Sequence, residues 1–381
     1  MQTSPSIYIT ATSLVTPLGI GTEENFRQLV QGHSGVQLMN DPLLFSTTLP
    51  LARFDEAFIK EAKMVYNTTT RFDTLMLSCV DELHRQTHID LSSPDVIILL
   101  STTKGNIELL QDDPLDEKLF LTYSAGLIQR KLNNPNTPIV VSNACISGLS
   151  AIIIAKRLLS KGPYKHAVIV GCDVLTNFVI SGFASFHAIS DDRCKPFDKN
   201  RTGINLGEAA AALILSTESG SEILVLGGSV SNDSNHISGP SKTGEELSFC
   251  INESMKEAGL STDDIGFISA HGTATDYNDE MESKAFSLSG LHEPPVFSIK
   301  AMYGHTLGAS GILETIISAE CLKQQLILPN FGFNEKGVSG DISISESLQQ
   351  NALQSCLKTA SGFGGCNAAI VLGRIFDRNK R

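Results

Sequence analysis

Tryptophan is absent from the 381 residues, and positive charge is scarce. Lys and Arg number 29 against 41 Asp and Glu, a formal net charge of −12. Such a surface repels phosphate backbones and argues against a general nucleic-acid binder. Long apolar runs are also missing. The run Ala151 to Ala155 is broken by Lys156 and Arg157, and nothing approaches the roughly 20 apolar residues of a membrane helix. The first residues lack a basic segment followed by an apolar one, so no secretory leader is expected. The eight cysteines, at 79, 145, 172, 194, 250, 321, 356 and 366, form no C-x-x-C pair. They read as reduced thiols, mostly small buried hydrophobes, of a cytoplasmic protein. No G-x-x-x-x-G-K-[ST] occurs, nor any G-x-G-x-x-G after a strand, so nucleotide binding has no support. His84 and His88 have helical metal-ligand spacing but no H-E-x-x-H glutamate and no third ligand, so no metal site is expected.

What is present is an alternation of strand and helix signals. Asp95 to Leu100 reads as a buried strand, Pro138 to Val141 as another, and Ser147 to Ser160 as a long apolar helix. Turn formers at 216–221 mark the best internal boundary. A second series of similar order follows it: strand Ile223 to Val230, helix Glu246 to Ala258, strand Ile265 to Ala270, helix Asp279 to Leu288 and helix Ala309 to Gln324. The pattern predicts an α/β protein with buried sheets, in halves spanning 1–220 and 221–381.

Cys145 lies in Val141-Ser-Asn-Ala-Cys-Ile-Ser-Gly148, with an apolar strand before it and an apolar helix after it. The sulfur is expected at a helix N-terminus, where the macrodipole and free N–H groups favour thiolate. His271 and His305 each sit where a predicted strand ends among Gly and small polar residues, a placement that can present a ring to a cleft. On spacing alone Lys300 reads as a solvated charge, and Gly362-Phe-Gly-Gly365 as a hairpin turn. The Pro196-Phe-Asp198 to Gly207-Glu208 stretch reads as structural.

Taken together, Asn143-Ala-Cys145-Ile-Ser-Gly148, Lys195-Pro-Phe-Asp198, Ala270-His-Gly-Thr-Ala-Thr275, Lys300-Ala-Met-Tyr-Gly-His305 and Gly362-Phe-Gly-Gly-Cys-Asn367 resemble, in order, the motifs of the elongating β-ketoacyl-acyl-carrier-protein synthases. These are condensing enzymes of the thiolase superfamily. The resemblance spans nearly the whole chain and implies a five-layered α-β-α-β-α thiolase fold built from two similar halves, normally dimeric. It implies Cys145 as the acylated nucleophile, and His271 and His305 as donors to the extender's thioester oxygen. Lys300, with Glu314 as partner, would hold charge and geometry around them. The backbone N–H groups of Cys145 and Phe363 would form an oxyanion hole, Phe363 would gate the acyl pocket, and Thr273 and Thr275 would bind the pantetheine arm. No bound cofactor is implied; the phosphopantetheine of an acyl carrier protein brings the substrate. A homodimer is implied, with a heterodimer as the alternative. Departures are Asn143 where relatives have Thr, Ser361 for Phe, Cys366 for Thr, and an abbreviated Gly105 to Thr122 region. Two other readings stand beside this one: a non-catalytic synthase-like partner that shapes chain length in a heterodimer, and a thiolase using Cys366 as base.

Overall fold

Residues with apolar side chains on both faces form the central strands, and the strands gather into one continuous sheet. A computed structural model describes residues 5–42, 44–45, 47–234 and 239–375; residues 1–4, read above for a leader, lie outside it. We number the main strands β1 (Tyr8–Thr16), β2 (Val96–Ser101), β3 (Ile139–Val141), β4 (His166–Asp173), β5 (Ala209–Ser216), β6 (Ile223–Asn232), β7 (Ile268–Ser269), β8 (Val296–Phe297), β9 (Ser355–Gly362) and β10 (Cys366–Arg374). The helices that position the site are α1 (Arg71–Arg85), α2 (Leu121–Leu132), α3 (Ser147–Lys161), α4 (Asn177–Ser185), α5 (Glu245–Ala258), α6 (Asp276–Leu288) and α7 (Ser310–Gln324).

The sheet runs β8-β7-β9-β10-β6-β1-β5-β4-β2-β3. Read outward from the centre, the first five strands in the chain and the second five follow one order: first, fifth, fourth, second, third. Directions repeat too. In each set the first–fifth and fifth–fourth pairs are antiparallel, and the fourth–second and second–third pairs are parallel. The sets meet where β1 and β6 pair antiparallel, Tyr8 opposite Leu224. The duplication suspected from the order of elements is thus a duplication of topology.

Helices α3 and α7 pack on strands of both sets and on each other, so they form the middle layer. That is why both are apolar nearly all round: α7 buries Ile312, Leu313, Ile316 and Ile317 together with Ala319 and Leu322. Helices α1 and α2 cover the outer face of the first set, and α5, with α6 against it, the outer face of the second. Strand periodicity divides the core accordingly. On β4, Ile169 faces the middle core with Leu149 and Ile312, while Val168 and Val170 face an outer core with Phe72 and Met76. Leu357 and Val371 join Leu247 and Phe286 in the other outer core. These are the five layers α-β-α-β-α. Helix α4 and a helix at Glu56–Tyr66 were not visible in the sequence pattern. The 105–122 region holds short 3-10 turns at Ile107–Gln111 and Glu117–Leu119, with Leu115 and Phe120 exposed.

Candidate active site

The two middle helices begin side by side, and their first turns deliver the site. A Cβ on Gly148 would lie 2.8 Å from the Ile312 nitrogen, and one on Gly311 2.6 Å from the Leu149 nitrogen. Only glycine lets the backbones meet this closely. The contact draws Cys145, just before α3, toward His305, just before α7.

Cys145 sits on a sharp strand-to-helix turn. Ala144 adopts φ +43°, an uncommon conformation for a residue with a Cβ. Ser147 holds the turn: its Oγ accepts from the Asn143 amide at 2.8 Å and donates to the Ala144 carbonyl at 2.6 Å. His305 Nδ1 lies 2.9 Å from Ser310 Oγ, which also accepts from the Thr306 amide. His305 Nε2 is buried with no protein partner, as is His271 Nδ1. The two rings stand edge to face with centroids 5.2 Å apart. Cys145 Sγ and one nitrogen of each ring lie within 4.8 Å of one another, all three residues buried.

The loop carrying His271 is held by carboxylates of α6. Glu282 accepts from the amides of His271 and Gly272 at 2.7 and 2.8 Å. Asp279 accepts from Thr273, Ala274 and Phe197. Phe197 also packs beneath Gly272, which gives the Lys195–Asp198 motif its structural purpose. The hydroxyls of Thr273 and Thr275 lie 2.8 Å apart on the same loop. Lys300 is fully buried, contrary to a solvated charge; its Nζ donates to the His271 carbonyl and to Glu314 Oε1, each at 2.6 Å.

Electrostatics depart from expectation at one point. Cys145 does stand at a helix N-terminus, but burial prevails and pushes the thiol up to about 12; Cys366 adds to the rise, while Lys104 and Lys300 oppose it. Burial therefore favours the thiol over the thiolate at Cys145. Burial, with Lys300 and other cations nearby, holds both imidazoles well below the ordinary histidine range. The helix N-terminus therefore does not ionise Cys145 by itself, and the two imidazoles stay neutral, each with one N–H to donate.

Phe363 is 41% exposed. Its ring stacks on Phe183 at 5.8 Å and tilts against Phe186 at 5.3 Å, so it is no core filler. Positive φ occurs at Gly364 and Gly365 but not at Gly362, so the left-handed backbone follows Phe363 and does not precede it. A Cβ on Gly362 would lie 3.0 Å from the Cys145 amide nitrogen; glycine keeps that amide uncovered. Cys366 is not one of the three clustered donors but lies near enough to raise the Cys145 thiol; its Sγ is 3.5 Å from the Phe363 carbonyl. Burial pushes its thiol up to about 11. His88 lies past the end of α1, so His84 and His88 lack helical spacing; both are exposed. Among the described residues the donor cluster that could take a metal is Cys145, His271 and His305, a set able to bind a thiophilic ion only by occupying the nucleophile.

Sequence reasoning missed Asp279, Glu282 and Lys358. The first two fall in the predicted helix Asp279 to Leu288, and only the loop's return onto that helix reveals them. Phe183 and Phe186 were missed with their helix.

Comparison with known proteins follows this geometry. Residues 4–220 match the family described as "Beta-ketoacyl synthase, N-terminal domain" and residues 223–334 match "Beta-ketoacyl synthase, C-terminal domain". The 3-oxoacyl-[acyl-carrier-protein] synthase 2 of Coxiella burnetii is 26% identical over 412 aligned residues, covering 97% of this chain and 99% of that protein. Its counterpart in Mycobacterium bovis is 27% identical over 417, covering 97% of each. Among solved structures, a chain of the ketosynthase ApeO in complex with its chain length factor ApeC from Xenorhabdus doucetiae matches with a TM-score of 0.84 and 25% identity, covering 97% of this chain and 98% of that one. The ishigamide ketosynthase/chain length factor matches in fold, with a TM-score of 0.87 and 23% identity, covering 98% of this chain and 100% of that one. With its duplicated thiolase topology and its matches along both halves, the chain belongs to the β-ketoacyl synthase family.

Proposed function

We propose that the protein catalyses a decarboxylating Claisen condensation between an acyl group on Cys145 and a malonyl group on acyl carrier protein. The observation that carries this reading is the buried cluster of Cys145, His271 and His305 within 4.8 Å. In the first step Cys145 sulfur attacks the acyl thioester. The thiol proton ends on the departing pantetheine sulfur, and a new thioester forms as the old one breaks. The amides of Cys145 and Phe363 stabilise the oxyanion. In the second step the extender's carboxylate carbon–carbon bond breaks and CO2 leaves. The electron pair forms an enolate, whose oxygen accepts from His271 and His305. This role needs the His305 proton on Nε2, the nitrogen without a protein partner, with Nδ1 facing Ser310 Oγ at 2.9 Å. The enolate carbon then attacks the Cys145 thioester, sulfur leaves, and a chain two carbons longer remains on the carrier.

Lys300 and Glu314 fix His271, Thr273 and Thr275 receive the pantetheine arm, and Phe363 gates the pocket. No tightly bound cofactor is needed. The functional halves are 1–220, with the nucleophile, and 221–381, with the two imidazoles and the gate. We place the reaction in the cytoplasm; among the described residues no helix is long and apolar enough to cross a membrane. Dimerisation through β3 fits its place at the sheet edge with Ile139 and Val140 half-buried, since an open edge invites pairing. A non-catalytic partner role has no observation in its favour, because nucleophile, imidazoles and lysine are all in place.

The test is direct. The protein is incubated with octanoyl- and malonyl-acyl carrier protein, and the carrier is analysed by mass spectrometry. A 3-oxodecanoyl carrier that requires both substrates is expected. Absence of β-ketoacyl product across a panel of acyl lengths would overturn the proposal.

A further inference from the structure

A second buried lysine, absent from every motif discussed above, faces the same glutamate as Lys300. Lys358 lies on β9 and is fully buried. Its Nζ donates to the carbonyls of Ser269 and Ala270, both at 3.1 Å, and of Thr359 at 2.6 Å. An ammonium has three protons and no lone pair, so these carbonyls take all three. Glu314 Oε2 lies 2.6 Å from the same nitrogen, an ion pair beside these three bonds. Glu314 Oε1 meanwhile accepts from Lys300, which also donates to the His271 carbonyl. Three consecutive carbonyls, at 269, 270 and 271, are thus held by two ammonium groups, and one carboxylate bridges the pair. Ser269 ends β7, and the chain leaves the sheet there for His271.

We propose that Lys358 is a positioning residue for the condensation: it fixes the exit of β7 and, by sharing Glu314 with Lys300, the place of the His271 ring opposite His305. The inference rests on the proposed function and adds a residue to it. Removing Lys358 frees the carbonyls just before His271 and leaves Glu314 Oε2 a buried carboxylate oxygen facing no cation. Lys300 then becomes the one cation on Glu314, and the His271 carbonyl loses the fixed partner that Lys300 gave it. The turn holding Cys145 depends on Ser147 and on the α3–α7 contact, neither of which Lys358 touches. The effect should therefore fall on the step that uses both imidazoles as fixed donors. Lys358 also adds positive charge near both rings and helps keep them neutral.

The test compares the full-length wild type with Lys358→Met, an unbranched apolar replacement, and Lys358→Gln, which keeps two N–H donors without the charge. Octanoyl loading onto Cys145 from octanoyl-acyl carrier protein is followed by intact mass, and CO2 release from malonyl-acyl carrier protein is measured separately. We expect Lys358→Met to load octanoyl within about threefold of wild type and to lose about 30-fold or more in decarboxylation, a misplacement effect of the size ångström-scale shifts produce. Lys358→Gln should recover part of that loss. Decarboxylation at the wild-type rate in Lys358→Met overturns the proposal. So does an equal loss of loading and decarboxylation in both variants, or failure of both to fold, since either result marks a merely structural lysine. A wild type that neither loads nor decarboxylates overturns the proposed function itself, and this inference with it.

Discussion

Replacing Gly148 by alanine tests how the fold makes the site. In an exposed helix the change would stabilise by roughly 0.5–1 kcal/mol. Here the new Cβ would stand 2.8 Å from the Ile312 nitrogen and 3.0 and 3.1 Å from two backbone atoms of Gly311. None of these atoms can rotate away. Reaching ordinary contact at 3.4 Å requires the first turns of α3 and α7 to part by about 0.6 Å. Overpacking of this kind costs about 1–3 kcal/mol, which more than offsets the propensity gain. The parting also carries Cys145 away from His305. Since 1 Å of misplacement costs about 100-fold, condensation should fall roughly 10- to 100-fold while the protein stays folded. Gly182→Ala on α4 is the control, because nothing lies within 4 Å of the added Cβ. Urea unfolding gives the stability change, and carrier-bound product formation gives the rate. Wild-type stability and wild-type turnover in Gly148→Ala would refute the reasoning.

Three further outcomes follow from the site. Phe363→Ala should cost only about 1–2 kcal/mol, below the 3–5 expected of a buried Phe, because the ring is 41% exposed; malonyl decarboxylation without a primed acyl chain should rise, and a large stability loss with no such rise would reject the gate. Because the Cys145 thiol is pushed up to about 12 by burial, its alkylation by iodoacetamide should climb about tenfold per pH unit between pH 7 and 9; a plateau near neutrality would show a thiolate held by the helix instead. The depressed imidazoles of His271 and His305 set a stability limit on the acid side: below their unfolded value of 6.5 the unfolded chain takes up protons that the folded one refuses. Stability is therefore complete above pH 6.5 and falls as pH drops, by up to about 1.4 kcal/mol per unit for each ring; urea unfolding of His271→Asn/His305→Asn should lack that share of the slope.

The alternation of strands and helices and the place of Cys145 were legible in the sequence because they rest on local signals, whereas the five layers came from the family resemblance. A strand running into Asn143-Ala-Cys145 and an apolar helix running out of it fix where the sulfur goes, and β2, α1 and α7 announce themselves by unbroken apolar periodicity. Alanine-rich β5 reads as a strand, and its small residues suit a sheet with helices packed on both faces. What was illegible depends on contacts distant in the chain. Lys358 looks like an ordinary charge in a strand until β7 is laid beside β9, and Lys300 looks solvated until Glu314 turns toward it from α7. The helix Asn177–Ser185 carries Phe178 and Phe183, with Phe186 just past its end, at spacings that give no clear periodicity, so the aromatic partners of Phe363 stayed hidden. The thiolate expectation failed for a related reason: sequence places Cys145 at a helix N-terminus but does not show how deeply both halves bury it.

The central claim is that Cys145 forms the covalent acyl intermediate. Octanoyl-loaded protein, digested under conditions that preserve thioesters and mapped by mass spectrometry, should carry the acyl group on the Cys145 peptide and on none of the other seven cysteines; an acyl group on Cys366 or Cys194, with Cys145 unmodified, would contradict it.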